Sequence, residues 1–244
     1  MEAHPPHHQT ANEFRPWESR MKRLFRAAPD DLVTWLLQGT AEFAGLASVE
    51  LEQQHFFSDV LCHVSVKGIK ALLHVKFQKE QNALMAQRLW EYNIRATMKY
   101  RHPTRSFVIS LTQDSTVQGP NRWVYPEKEP VHRFFFDVLH LWELPTEELL
   151  KAGRPGVVPL LPLTREGRQR EMVEEGIQLL MPAGAEPRRE LLSLLYSVAS
   201  LTFERHDQEW LYGRFALLSD ILRDTPAFQE MATWASNEGI EQKP

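Results

Sequence analysis

The feature that most constrains the fold is a pair of alternating segments over residues 59–78, which meet at Lys67-Gly68. Glycine adopts the positive φ that a two-residue hairpin turn requires, so this dipeptide predicts an antiparallel ribbon. Counting outward from the turn pairs Asp59 with Lys76 and puts Gln78 on the same face, one step along. The opposite face is apolar and consists of Val60, Cys62, Val64, Val66, Leu73, Val75 and Phe77. The sequence thus predicts a carboxylate, an ammonium and an amide at one end of the ribbon.

Two interpretations of this convergence are open. An aspartate–lysine pair across two strands is a common surface feature that stabilises a sheet by less than ~1 kcal/mol. The other interpretation is a functional site, because a lysine or an amide near a carboxylate can orient water and phosphate.

The segments around the ribbon have the pattern of an α/β unit with a mixed central sheet flanked by helices. Apolar residues at helical spacing predict helices over 18–37, broken at Pro29, and over 83–99, capped by Gln81-Asn82. The segment that follows Gly39 and ends at 48–57 is predicted to form a short strand or edge segment leading into the ribbon. Further strands are predicted over 106–112, 122–125 and 134–141.

The last third of the chain differs from the rest. Residues 155–163 read P-G-V-V-P-L-L-P-L, and proline at these positions predicts an extended packing arm instead of a helix. Helices are predicted over 165–181, 188–204 and 208–223, separated by prolines and glycines near 182–187 and by Pro226. The predicted organisation is a disordered tail over 1–15, an α/β domain over 16–163 and a C-terminal helical region over 164–244.

Composition narrows the classes of protein. A net charge of −4 argues against a globally basic nucleic-acid binder, so any such contact must come from a local patch. The sequence lacks the long apolar run of a membrane span, and its first residues carry acid and proline in place of a signal peptide's pattern. With one cysteine, Cys62, an internal disulfide is excluded, and we expect a reducing cytoplasm as the location.

Other kinds of site find little support in the sequence. His63 and His74 lie on the ribbon without partners at zinc-like spacing, and Cys62 falls on the face opposite Asp59. A zinc site and a cysteine–histidine nucleophile are therefore not expected. The chain also lacks a glycine-rich phosphate loop.

Several stretches resemble one family of nucleases. These are W-E-S-R-M-K-R-L-F, F-S-D-V-L-C-H-V, L-L-H-V-K-F-Q, R-L-W-E-Y, F-F-F-D-V-L-H-L-W-E-L and G-V-V-P-L-L-P-L, which together extend from Trp17 to Leu163. They resemble the Rpn-type recombination-promoting nucleases and transposase-like proteins of the PD-(D/E)xK superfamily. The last two stretches are the most specific to the family. The resemblance implies a PD-(D/E)xK-like core followed by the helical region.

The resemblance also implies roles for particular residues. Asp59 would be a ligand of Mg²⁺ or Mn²⁺, with Glu18 of the opening helix as a second acid, and Lys76 and Gln78 would complete the catalytic set. Arg88 would contact DNA phosphate through its planar guanidinium group. For Tyr92 a hydrogen bond to the substrate and simple core packing are equally open. Glu50 and Glu52 are further candidate acids, although exposed carboxylates of this kind are usually solvated.

Lys76 departs from the family pattern, which has a glutamate at this position. A protonated lysine cannot ligate a cation, and its charge would repel the metal. Two functions are therefore expected. One is a metal-dependent DNA endonuclease whose C-terminal helices contact DNA or form a homodimer. The alternative is a degenerate relative that keeps the fold and DNA binding but no longer cleaves.

Overall fold

The computed structural model describes residues 16–47, 59–115, 122–125, 132–182 and 188–237. The predicted tail over 1–15 and the carboxylates Glu50 and Glu52 lie outside these ranges.

All the strands, and three of the helices, lie in the part of the described chain that ends at His140. In order they are α1 (Pro16–Ala27), α2 (Pro29–Leu36), β1 (Ala41–Leu46), β2 (Asp59–Val66), β3 (Ile69–Gln78), α3 (Met85–Tyr100), β4 (Thr104–Ser110), β5 (Arg122–Tyr125), β6 (His132–Phe135) and β7 (Asp137–His140). Helical segments follow: α4 (Thr146–Lys151), a 3₁₀ segment (Pro155–Leu163), α5 (Arg170–Leu180), α6 (Arg189–Thr202), α7 (Arg205–Ala216), α8 (Ser219–Leu222) and α9 (Pro226–Asn237). Short 3₁₀ turns also occur at Gln113–Ser115 and Leu141–Glu143.

The central sheet has five strands in the order β1-β2-β3-β4-β7. The pairs β1–β2 and β2–β3 are antiparallel, whereas β3–β4 and β4–β7 are parallel. A parallel pair needs a crossover connection, and α3 supplies it between β3 and β4. The predicted α/β class with a mixed sheet flanked by helices is confirmed, and so is the presence of helices at the C-terminal end.

The hairpin between β2 and β3 has the predicted turn and register. Val66 pairs with Ile69, and Lys67 and Gly68 have φ values of 51° and 81°. Two consecutive positive φ values match a tight turn whose twist suits a hairpin, and glycine adopts one of them without strain. From this turn the register runs to Asp59 opposite Lys76, as the sequence predicts.

The two faces of the sheet are covered by different layers. The apolar face of the ribbon, including Cys62 and Leu73, belongs to a large buried cluster that also holds residues of α1, α2, the 3₁₀ segment and the C-terminal helices. On the other face Leu61 and Leu72 pack against Tyr92 and Ala96 of α3. α1 and α3 therefore lie on opposite sides of the sheet.

One predicted strand is wrong in its extent. The segment 134–141 was expected to form a single strand, but β6 and β7 are separate elements divided by Phe136. β6 pairs with β5 in a two-stranded ribbon, whereas β7 joins the central sheet beside β4. Phe136 is buried against Met85 and Leu89 of α3, which fixes the point where the chain passes from one sheet to the other.

The segment 155–163 also differs from its prediction. It packs into the core as expected, with Gly156 to Leu163 all buried, but it does so as a 3₁₀ segment instead of an extended arm. Pro159 and Pro162 lack the N–H group that a regular α-helix would need, which limits the segment to a tighter, irregular path.

The C-terminal region contains more helices than the sequence predicts. Beyond residue 164 the described chain forms α5 to α9, where three helices were expected. Pro226, predicted as a separator, instead begins α9, a position where its missing N–H is tolerated. Trp17 of α1 and Met231 of α9 belong to the same buried cluster, so the two predicted regions share a core. Among the described helices, none has the length and apolar character to cross a membrane.

Candidate functional site

The predicted site lies at the end of the sheet where β2 begins and β3 ends. Asp59 occupies the register position opposite Lys76, and Lys76 is half-buried. The side chains of Asp59 and Glu18 lie outside the described part of the structure, and their backbones place them at the start of β2 and on α1. Glu18 lies on α1, in the layer that covers the other face of the sheet. The sheet separates the two layers, so a site shared by Glu18 and Lys76 would have to lie beyond the end of the strands.

Gln78 is fixed by the backbone around it. Only 9% of the residue is exposed, and its side-chain Nε2 donates to the carbonyl oxygen of Glu80. The carbonyl oxygen of Gln78 accepts from Leu111 N–H at 2.9 Å, which joins the end of β3 to the residue after β4. The amide is thus held at the end of the strand, with one of its N–H groups already used.

Arg88 and Tyr92 lie one turn apart on α3 but in different surroundings. Arg88 is exposed, whereas Tyr92 is fully buried and its ring stacks on His74 with 4.1 Å between centroids. The geometry of Tyr92 is that of a packed core residue, and a substrate contact by its hydroxyl stays a prediction. Arg88 and Arg95 lie close to one line along the helix, and within the described ranges neither forms an ion pair.

A buried polar network beneath α3 was not foreseen from the sequence. The Nδ1 atom of His74 lies 3.1 Å from Ser106 Oγ, which also accepts from Asn93 Nδ2 at 2.9 Å. Asn93 donates as well to the carbonyl oxygen of Thr104 at 2.7 Å. His74 and Ser106 are both buried, so these bonds replace lost hydration. The network holds α3 in a fixed position over β3 and β4.

A row of polar residues crosses the carboxyl ends of the three parallel strands. Gln78 pairs with Ser110 of β4, and Ser110 pairs with His140 of β7. Ser110 is fully buried and lies 2.7 Å from Ser115 Oγ, while Trp142 Nε1 donates to it at 3.3 Å. In open α/β sheets, ligands bind outside the carboxyl ends of parallel strands. Ser110 and His140 lie at this same end of the sheet as Gln78, where the buried Ser110 is already hydrogen-bonded to its neighbours.

The sequence offered a weak signal for this row. Ser110 and His140 each lie at or beside the end of an apolar strand, which is the usual place for a polar residue that does not pack in the core. Their alignment with Gln78 depends on the parallel register, which sequence pattern does not fix. His140 Nδ1 is buried and has no hydrogen-bond partner among the residues that the structure describes.

The described residues hold no preformed cluster of metal ligands. Over the described ranges, no three His, Cys, Asp or Glu side chains are grouped so that they could hold an ion. The β2–β3 pair contributes one carboxylate, that of Asp59. The residue opposite it is Lys76, which carries an ammonium group in place of a second acid. A neighbouring ammonium group repels Mg²⁺, so this strand pair alone would bind the ion weakly, and a second acid such as Glu18 would have to complete the donor set.

The position of Cys62 does not suit a catalytic nucleophile or a metal ligand. It is fully buried on the apolar face of the ribbon, with Sγ 3.7 Å from the carbonyl oxygen of Leu73. Burial raises the pKa of its thiol to about 12, which keeps it protonated at neutral pH.

Comparisons with protein-family models, with curated proteins and with solved structures found no match. The family resemblance in the sequence motifs therefore stays a prediction.

Proposed function

We propose that this chain is a metal-dependent DNA endonuclease-like protein of the Rpn type, which hydrolyses phosphodiester bonds. The observation that carries the proposal is the register of Asp59 opposite Lys76, with Gln78 at the end of the same strand. The two strands that it pairs are the stretches that resemble the family's catalytic strands, which supports the proposal. The mixed sheet, in which two antiparallel strand pairs are followed by two parallel pairs, is compatible with a PD-(D/E)xK-like core.

The proposed roles follow from the chemistry of each group. Asp59 and Glu18 would hold the ion, and a bound Mg²⁺ or Mn²⁺ would supply neutralisation of phosphate charge and a more acidic water molecule. Lys76 provides a positive charge for a phosphate oxygen, and the amide of Gln78 orients water. Arg88, exposed on α3, binds a neighbouring phosphate through two parallel N–H donors.

A second candidate function is a DNA-binding relative that has lost cleavage. The observation in its favour is Lys76 itself, which stands opposite Asp59 where the family has a glutamate. In this version the ammonium group takes the place of the metal beside Asp59, so that DNA is bound but not hydrolysed.

Nicking of supercoiled plasmid in Mg²⁺ or Mn²⁺ separates the two functions. The endonuclease proposal predicts cleavage by the wild type and its loss in Asp59→Ala, with Glu42→Ala as a matched control. Glu42 is an exposed acid on β1 of the same sheet, outside the proposed site. An intact plasmid with the wild type in both metals would remove the enzyme proposal. Recovery of cleavage in Lys76→Glu would then support the degenerate relative.

A further inference from the structure

The ribbon formed by β5 and β6 presents two different faces. Its register pairs Arg122 with Phe135 and Val124 with Arg133, so these four residues share one face. The other face carries His132 and Phe134. It contacts the body of the protein through these two residues: the ring centroids of His132 and Trp90 are 5.3 Å apart, and Phe134 stacks on Phe136. His132 itself and Tyr125, on the same face, stay exposed.

The outward face combines an exposed aromatic ring with two exposed guanidinium groups. Phe135 is 67% exposed, which is unusual for a phenylalanine, and Arg122 and Arg133 are both exposed. Directly opposed residues on one face lie about 5 Å apart, and residues two apart on a strand about 7 Å. One ring is thus flanked by two cations, one from each strand.

Among the described residues, no carboxylate pairs with the cations of this face: neither Arg122 nor Arg133 forms an ion pair there. Asp137, which follows β6, is bound by Arg105 at 2.8 Å. By contrast, four arginines of the C-terminal region form ion pairs with carboxylates. These pairs are Arg170 with Asp207, Arg189 with Asp224, Arg214 with Glu174 and Arg223 with Asp220. In a chain of net charge −4, the outward face of the ribbon is a local basic patch.

We infer that this face binds an unpaired nucleic-acid strand, with a base stacked on Phe135 and the flanking phosphates bound by Arg122 and Arg133. Charge complementarity favours a polyanion, and an exposed aromatic ring between cations is the usual platform for single strands. Bases inside a duplex offer no free face for stacking, so the patch should prefer an unpaired strand. The inference rests on the proposed function, to which it adds the surface that holds the strand.

The affinity for a labelled oligo(dT) of about 20 nucleotides, measured by fluorescence anisotropy, tests the inference. The titration is done once in EDTA and once with Ca²⁺. Phe135→Ala should weaken binding by about tenfold, because one stacked base is lost. Leu217→Ala is the matched control, since Leu217 is also a highly exposed apolar residue (79%) but lies after α7. The double variant Arg122→Ala/Arg133→Ala should reduce the slope of log K against log salt by about 1.4, the effect of two phosphate contacts on a single strand.

The outcomes distinguish this inference from the proposed function. If the wild type binds oligo(dT) and both ribbon variants bind equally well with unchanged salt slope, the inference fails and the endonuclease proposal stands. If the wild type neither binds oligo(dT) nor nicks plasmid, both fail. A ribbon that serves as a protein interface would instead show a change in sedimentation on Phe135→Ala with no change in oligo(dT) affinity, and this result would also overturn the inference. Circular dichroism melting of each variant confirms that it is folded.

Discussion

The imidazole ring of His74 lies against the ring of Tyr92, with 4.1 Å between centroids and 18° between planes. One ring belongs to β3 and the other to α3, so the stack joins the strand of the candidate site to the helix that carries Arg88. Both residues are fully buried. The position of Arg88 relative to Lys76 therefore depends on this contact.

We expect His74→Ala to lower the free energy of unfolding by about 2–4 kcal/mol. The substitution removes a buried ring and leaves Ser106 Oγ without one partner, and both effects are costly in a core. Urea denaturation of the wild type and the variant measures the change. His132→Ala, an exposed histidine that also contacts an aromatic ring, serves as the control. A loss of less than about 1 kcal/mol in His74→Ala would contradict a structural role for the stack.

The raised pKa of Cys62 predicts a loss of stability in alkaline solution. In the folded state the thiol keeps its proton up to a pKa of about 12, whereas in the unfolded chain it titrates near 9.0. Above pH 9.0 the unfolded chain therefore binds fewer protons than the folded one, and stability falls as the pH rises.

Ionisation of Cys62 alone lowers the free energy of unfolding by at most about 1.4 kcal/mol per pH unit, and Cys62→Ala should abolish this pH dependence. The measurement is the difference in unfolding free energy between wild type and Cys62→Ala at a series of pH values from 8 upwards. Burial also raises the pKa of Tyr196, but this effect is common to both proteins and cancels in the difference. A difference that stays constant with pH would show that the thiol is not buried as described.

The C-terminal helices should be necessary for the α/β part to fold. Leu161 of the 3₁₀ segment and Leu195 of α6 both pack beside Gly176 of α5, so removal of the helices exposes a large apolar surface. We expect a chain ending at Leu163 to unfold without a cooperative transition and to bind a hydrophobic dye. Thermal melting of this fragment beside the full chain is the measurement. A cooperative transition in the fragment would support the predicted boundary between 163 and 164 as a true domain boundary.

Replacing the ammonium group at position 76 should change metal affinity. In Lys76→Glu a carboxylate stands opposite Asp59, and we expect Mn²⁺ to bind about tenfold more tightly or better than to the wild type. Lys76→Gln removes the charge without adding a ligand and should give an intermediate affinity. Isothermal titration with Mn²⁺ measures all three proteins. Equal affinities would show that position 76 does not adjoin the metal.

The hairpin and its register could be predicted because their causes are local. Gly68 fixes the turn, and strict alternation along β2 and β3 then determines which residues face each other. The division of 134–141 at Phe136 could not be predicted, since it results from packing against α3 and not from a turn signal at that position. An apolar run of this kind reads as one strand whichever sheet its parts join.

The polar parts of the site were harder to predict than the strands. The bond between His74 and Ser106 joins residues 32 positions apart, and it depends on the parallel pairing of β3 with β4. The row of Gln78, Ser110 and His140 depends on two such pairings. Sequence pattern indicates which residues are polar at strand ends, but the crossover through α3 decides which of them meet.

Anomalous diffraction from a crystal soaked in Mn²⁺ tests the central claim most directly, because it locates the ion without relying on activity. We expect a peak beside the carboxylate of Asp59, at the end of the sheet where Gln78 lies, and no such peak in Asp59→Ala. The contradicting result is a wild-type crystal at saturating Mn²⁺ that shows no peak at Asp59 and has the ammonium group of Lys76 bound to the Asp59 carboxylate instead of a metal ion.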